Sequence, residues 1–193
     1  ARSARGYQRV ATLARPAFSS LAGVAAQTEG DADRLRELGA APVSVCGNLK
    51  FDVTPGAALI DLGRQWRAAL SGRPVWLAAR TREGEESLVL DAWKDVADSG
   101  ALLVIVPRHP QRFDEVATLL TQRGMGLGRR SDGLPTADID VWLGDSMGEM
   151  VAYYALADLA FIGGSLLPLG GQNLIEAAAC GCPVLIGPHT FNF

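Results

Sequence analysis

Three short segments carry the side chains best suited to chemistry. They are Pro107-Arg108-His109-Pro110, Asp145-Ser146-Met147-Gly148-Glu149, and the run from Gly163 to Gly187. The third passes from an apolar stretch (Leu159 to Ile162) through the steps Gly163-Gly164 and Gly170-Gly171, then into a helix opening at Asn173. Gly-rich loops of this kind, at the carboxyl end of a parallel strand, let backbone amides approach a phosphate or ribose closely. The helix that follows adds free N–H groups and a positive dipole end. Glu176 sits one turn inside that helix, where a carboxylate can accept from both hydroxyls of a ribose. Arg108, stiffened between two prolines, can pair with a phosphate by charge-assisted hydrogen bonds. The pattern reads as a nucleotide-sugar site.

Each of these residues also has a plain structural explanation. Arg108 reads equally as a solvated loop residue, and His109 as a hydrogen-bonded one. Ser146 and Glu149 have capping-box spacing, and Asn173 and Glu176 share it with Asn as the cap. Capping alone does not call for two Gly-Gly steps just upstream, which favours a functional role for Glu176. The acidic residues Glu83, Glu85, Glu86, Asp145 and Glu149 do not have the look of a metal cage. No His-x-x-x-His spacing occurs, so no metal is expected. A Walker phosphate loop is missing from the sequence, and so is a Ser-His-Asp signature around a nucleophile elbow.

The elements that must position these segments alternate between strand and helix periods. Gly23–Gln27 reads as a strand, followed by a helix capped by Thr28 and stopped at Gly39, then a strand over Pro42–Cys46. After a Gly47–Gly56 segment the series resumes. Helices are expected over 57–70, 85–96, 111–123, 147–155 and 173–179, with strands at 75–79, 102–106, near 127, and at 139–143, 159–162 and 184–186. This alternation predicts a Rossmann-like parallel sheet with helices on both faces. All the unusual junctions, Arg80–Glu85 included, then fall on the carboxyl edge, where open α/β sheets bind ligands. Opposite junctions such as Asp98-Ser99-Gly100 and Gly181-Cys182-Pro183 are short, bland turns.

Composition sets the outer bounds. Of 193 residues, 48% are hydrophobic and 20% charged, as in an ordinary globular α/β protein. A net charge of −3 gives no reason to expect nucleic acid as a partner. No apolar run approaches the roughly 20 residues needed to cross a bilayer, and no signal-peptide pattern is visible. Three cysteines, Cys46, Cys180 and Cys182, lack framework spacing, which fits a reducing compartment and burial as small apolar residues. The chain starts inside a basic, helix-compatible stretch and stops on an aromatic run, so it is expected to be a piece of something longer.

Taken together, GNLKFD (47–52), TREGEE (81–86), PRHPQRF (107–113), GDSMGEM (144–150), FIGGSLLPLGGQNLIEAAACGCPVLIGP (161–188) and HTFNF (189–193) resemble bacterial 3-deoxy-D-manno-octulosonic acid (Kdo) transferases. The resemblance implies a truncated C-terminal lobe of a two-lobe, GT-B type glycosyltransferase. Residues 1–46 would close the N-terminal acceptor lobe, 47–56 would be a linker, and 57–193 the nucleotide-sugar-binding lobe. It further implies transfer of Kdo from CMP-Kdo, without a metal or other cofactor, to a lipid A precursor at the cytoplasmic face of the inner membrane. Pro107, Arg108, Met147, Gly148, Glu149, Asn173, Leu174, Ile175 and Glu176 would line the CMP pocket. Arg108 and the helix N-termini would meet the phosphate, Glu176 the ribose, and backbone around Met147 the cytosine.

One departure stands inside the motifs: Arg80 replaces the small hydroxyl residue usual before Thr81 in that family. The resemblance also implies that the catalytic base, the acceptor site and any membrane contact lie upstream of Ala1, and that bracing helices follow Phe193. This piece is therefore expected to be soluble, to hold no catalytic residue, to bind CMP weakly and not to transfer sugar. Rival readings remain a two-lobe transferase or epimerase using a UDP-sugar, or a non-catalytic nucleotide-binding module.

Overall fold

A run of strands buried on both faces needs helices on both faces, and the chain supplies them. The computed structural model describes residues 2–96 and 99–192; Asp98 of the Asp98-Ser99-Gly100 turn and Phe193 of the last motif lie outside the described residues. The chain divides into two units, Ala1–Asp52 and Val53–Phe193.

In the first unit the basic stretch forms helices α1 (Arg2–Arg9) and α2 (Ala11–Ser19). Strand β1 (Val24–Ala26) pairs in parallel with β2 (Val43–Val45), and helix α3 (Glu29–Glu37) joins them. Thr28 caps α3 as expected: its Oγ1 accepts from the Asp31 amide at 3.1 Å, with Glu29 and Asp31 in the first turn. The apolar residues Ala26, Ala32, Leu38 and Ala40 are buried in this unit.

The second unit contains α4 (Ala57–Ala69), β3 (Val75–Thr81), α5 (Glu85–Trp93), β4 (Leu102–Pro107), α6 (Phe113–Gln122), β5 (Leu127–Arg129), β6 (Val141–Leu143), α7 (Met150–Leu156), β7 (Leu159–Ile162), α8 (Ile175–Ala179) and β8 (Val184–Ile186). The strands form a six-stranded parallel sheet in the order β5-β6-β4-β3-β7-β8. The chain thus builds outward from β3 on one side, then crosses over to add β7 and β8 on the other. A reversal of this kind opens a crevice at the carboxyl ends of the strands.

Burial explains the arrangement. Every residue of β4 is buried, the mark of a central parallel strand. On one face Val75, Leu77, Val104, Trp142 and Ile162 pack with Trp66, Tyr153 and Tyr154. On the other, Ala78, Leu103, Ile105 and Leu143 pack with Leu90, Trp93, Val116 and Leu120. Helices α4 and α7 meet at Gly63, where a Cβ would lie 2.3 Å from the Ala152 carbonyl oxygen. Asp158 ties three elements together: both its oxygens accept from Arg67 (2.8 and 2.9 Å), and Oδ2 also accepts from the Val75 amide at 2.8 Å.

The expected α/β class holds, and the differences lie at the ends of elements, strands such as β3 and β6 included. The expected helix over 85–96 ends as α5 at Trp93. That over 111–123 is α6, preceded by a 3-10 turn over Pro110–Arg112, where a proline fits the first position. Helix α7 begins three residues later than expected, and α8 two, for reasons visible in their hydrogen bonds below. Among the described residues no helix is long and apolar enough to cross a membrane.

Candidate functional site

At the carboxyl edge of the second unit's sheet lies a cavity of about 350 Å³. It is walled by Leu59 of α4, Arg80 at the end of β3, Pro107 ending β4 and Arg108 just after it, Ser146 to Glu149 after β6, and Glu176 in the first turn of α8. The separate junctions therefore do meet. Of the nine residues expected to line a pocket, Pro107, Arg108, Met147, Gly148, Glu149 and Glu176 border this cavity. Asn173, Leu174 and Ile175 do not.

The physical reason is local. Asn173 turns its side chain back onto the chain, Oδ1 accepting from the Ile175 amide at 3.0 Å. Leu174 takes the N-cap position without a side-chain bond and packs against the core. The helix consequently opens at Ile175, and one of its first amides is already satisfied.

The 146–149 turn is held differently from a capping box. Ser146 Oγ donates to the Glu149 carboxylate rather than accepting from its amide. Arg130 grips the same carboxylate with two bonds of 3.1 and 2.9 Å. The Arg130 guanidinium carbon in turn sits 4.8 Å from the centre of the Trp66 ring. Glu149 is a brace for the turn, its charge already matched. Tyr153 backs the cavity wall with its hydroxyl 3.2 Å from Ser146 Oγ. Burial pushes the Tyr153 phenol up, and the Ser146 hydrogen bond offsets only part of that shift, so it stays protonated at neutral pH. Gly148 takes a left-handed φ of +81°, and Met147 stands 66% exposed at the rim.

Two cations face the cavity. Arg108 is exposed and its Nε donates to Gln172 Oε1 at 3.2 Å; among the described residues it has no carboxylate partner. Arg80 reaches across to Glu176, Nη2 to Oε2, at 2.5 Å. Arg80 is set by a bulge: β3 pairs Ala79 with Val106 and Thr81 with Pro107, leaving Arg80 as the extra residue at φ +56°.

The Gly-rich loop does not present its amides to a ligand in the expected way. The Glu85 carboxylate, fully buried, accepts from Gly164 at 2.6 Å, Leu166 at 3.0 Å and Arg82 at 2.9 Å. The glycines instead permit close chain approach. A Cβ at Gly163 would lie 2.4 Å from the Arg80 carbonyl oxygen, and one at Gly187 2.2 Å from that of Ser165. Glu86, also buried, accepts from Thr81 Oγ1 at 2.7 Å and from Arg112 at 2.6 and 3.1 Å. Glu85, Glu86 and Arg112 are thus the scaffold residues that inspection of the sequence missed. Their only signal was that acidic residues follow a buried strand directly. His109 does not border the cavity.

Comparison with known proteins follows the same lines. A family model described as 3-deoxy-D-manno-octulosonic-acid transferase (kdotransferase) matches residues 1–53. The chain is 49% identical over 186 residues to a 3-deoxy-D-manno-octulosonic acid transferase of Bordetella pertussis, covering 93% of this chain and 43% of that protein. It is 37% identical over 202 residues to the Haemophilus influenzae enzyme of the same name, covering 100% and 47%. The chain therefore spans less than half the length of these curated relatives. A solved structure, the C-terminal CMP-Kdo binding domain of WaaA from Acinetobacter baumannii, superimposes with a TM-score of 0.68 at 38% identity, covering 72% of this chain and 75% of that one.

Proposed function

Because the chain belongs to the 3-deoxy-D-manno-octulosonic acid transferase family, we propose that its second unit binds the CMP moiety of CMP-Kdo in the cavity beside Arg108 and Glu176. The supporting observation is that residues from four junctions, up to 96 positions apart in the sequence, converge on one cavity at the carboxyl edge of the sheet.

In this reading Arg108 pairs with the phosphate, which finds there a cation with no competing carboxylate. Glu176 accepts from the ribose hydroxyls. The exposed side chain and backbone of Met147 meet the cytosine, whose edge calls for donors and acceptors rather than charge. Asn173, Leu174 and Ile175 act behind the cavity by setting where α8 starts. Ser146, Glu149 and Arg130 keep the 146–149 turn rigid, so the base contact is formed before the nucleotide arrives.

The parent protein, on the same reading, moves Kdo from CMP-Kdo to a lipid A precursor at the cytoplasmic face of the inner membrane, with no metal. Both carboxylates bordering the cavity are engaged, Glu149 by Arg130 and Ser146, and Glu176 by Arg80. Neither is poised to remove a proton from an acceptor hydroxyl. The cavity supplies binding and charge stabilisation of a leaving phosphate. The 193-residue chain is thus expected to bind CMP without catalysing transfer. Calorimetric titration with CMP, UMP and UDP tests the assignment: CMP is expected to bind most tightly, and a clear preference for UDP overturns it.

A further inference from the structure

Arg80 stands in an unusual setting for a long charged side chain. It is the bulged residue of β3, held at φ +56°, a region that residues with a Cβ seldom occupy. The backbone is locked there by Gly163, whose missing side chain lets the two chains touch. The bulge aims the guanidinium into the cavity, where it bonds Glu176 at 2.5 Å with the two side chains only 20% and 28% exposed. One of the cavity's cations is thus paired with the carboxylate that the reading above gives to the ribose.

We propose that Arg80 is a positioning residue that exchanges partners when nucleotide binds: it leaves Glu176 for the incoming phosphate, and Glu176 turns to the ribose hydroxyls. This rests on the nucleotide-site reading above and deepens it. The charges favour the exchange. Glu149 is matched by Arg130, and Arg80 by Glu176, so only Arg108 is uncommitted among the cavity's cations. The monoester phosphate of CMP carries more than one negative charge near neutral pH, which a single guanidinium does not balance. The freed Glu176 keeps hydrogen-bond donors in the ribose hydroxyls, so neither partner is left bare in a half-buried site. A nucleoside without phosphate has nothing to offer Arg80 and must compete with it for Glu176.

The experiment measures the ratio of CMP to cytidine affinity by calorimetry on the 193-residue chain and its variants. Arg80→Asn suits the left-handed backbone and removes the charge. It is expected to lower the CMP-to-cytidine ratio about tenfold, the effect of one charge-assisted hydrogen bond. Cytidine itself should bind as well as before or better. Glu176→Gln should raise the ratio, since Arg80 is then free for the phosphate while the ribose contact weakens. If Arg80→Asn weakens both ligands equally, or changes neither, Arg80 only braces Glu176 and the exchange is wrong. Should that variant not fold, Arg80→Lys keeps the charge but loses the planar fork, and its ratio must fall about threefold; an unchanged ratio overturns the proposal. An unaltered chain that binds neither CMP nor cytidine refutes the nucleotide site itself, whereas normal CMP binding with an unmoved ratio refutes the exchange alone.

Discussion

Replacing Glu85 by Gln should loosen the whole carboxyl edge, although Glu85 borders no part of the cavity. One carboxylate oxygen accepts from Gly164 and Arg82, the other from Leu166, at 2.6 to 3.0 Å and out of contact with water. An amide can keep its oxygen toward only one of these sets. If it faces Gly164 and Arg82, its NH2 group opposes the Leu166 N–H, leaving a buried donor unsatisfied at a cost of about 1–3 kcal/mol. The two remaining bonds lose charge assistance, roughly another 1 kcal/mol each. Relief from burying a charge offsets part of this, so the net loss is about 2–3 kcal/mol. For a unit of this size that lowers the melting temperature by about 6–10 °C. All four tryptophans, Trp66, Trp76, Trp93 and Trp142, lie in the second unit, so tryptophan fluorescence during thermal or urea unfolding reports on it alone. A Glu85→Gln variant within about 0.5 kcal/mol of the parent would refute the claim that this carboxylate fastens the Gly-rich loop.

Gly63→Ala should cost about 2 kcal/mol by the same fluorescence measurement, because its Cβ would press on Ala152 and Ala155 where α4 meets α7; an unchanged urea midpoint contradicts that packing. Arg108→Ala should weaken CMP about tenfold while leaving cytidine unaffected, and should flatten the salt dependence of CMP binding; equal losses for both ligands would remove the phosphate contact. Burial pushes the Cys182 thiol up to about 11 and also raises that of Cys180, whereas Cys46 is exposed. A raised thiol stays protonated until the pH approaches its own value, leaving roughly one Cys182 in a thousand as thiolate at pH 8. An aromatic disulfide reagent at that pH should find one fast thiol, and two or three fast phases would contradict the burial.

The class of fold and the gathering of the candidate residues at one edge were legible because both follow from local patterns. Strands such as Leu102–Val106 declare themselves by unbroken apolar runs, and parallel order then puts Arg108, Met147 and Glu176 on one edge. What was not legible depends on partners distant in sequence. Nothing near Glu85 announces that its acceptors serve Gly164 and Leu166, some 80 residues on. The same distance hid the Arg80–Glu176 pair, although the mismatch of Arg80 with its motif was visible. Ser146 and Asn173 have capping spacing, yet other bonds were available to them: a carboxylate held by Arg130 for one, the Ile175 amide for the other. The Gly-Gly steps read as ligand clearance, but Gly163 clears space for β3.

The most direct measurement is a titration of the isotopically labelled chain with CMP, followed by backbone amide resonances. The amides of Arg108, Met147, Gly148 and Glu176 should shift together with one saturation curve, and those of residues 2–52 should stay still. Shifts confined to the apolar sheet face around Trp76, Phe161 and Leu185, or none at millimolar CMP, would contradict a cytidylate site in this cavity.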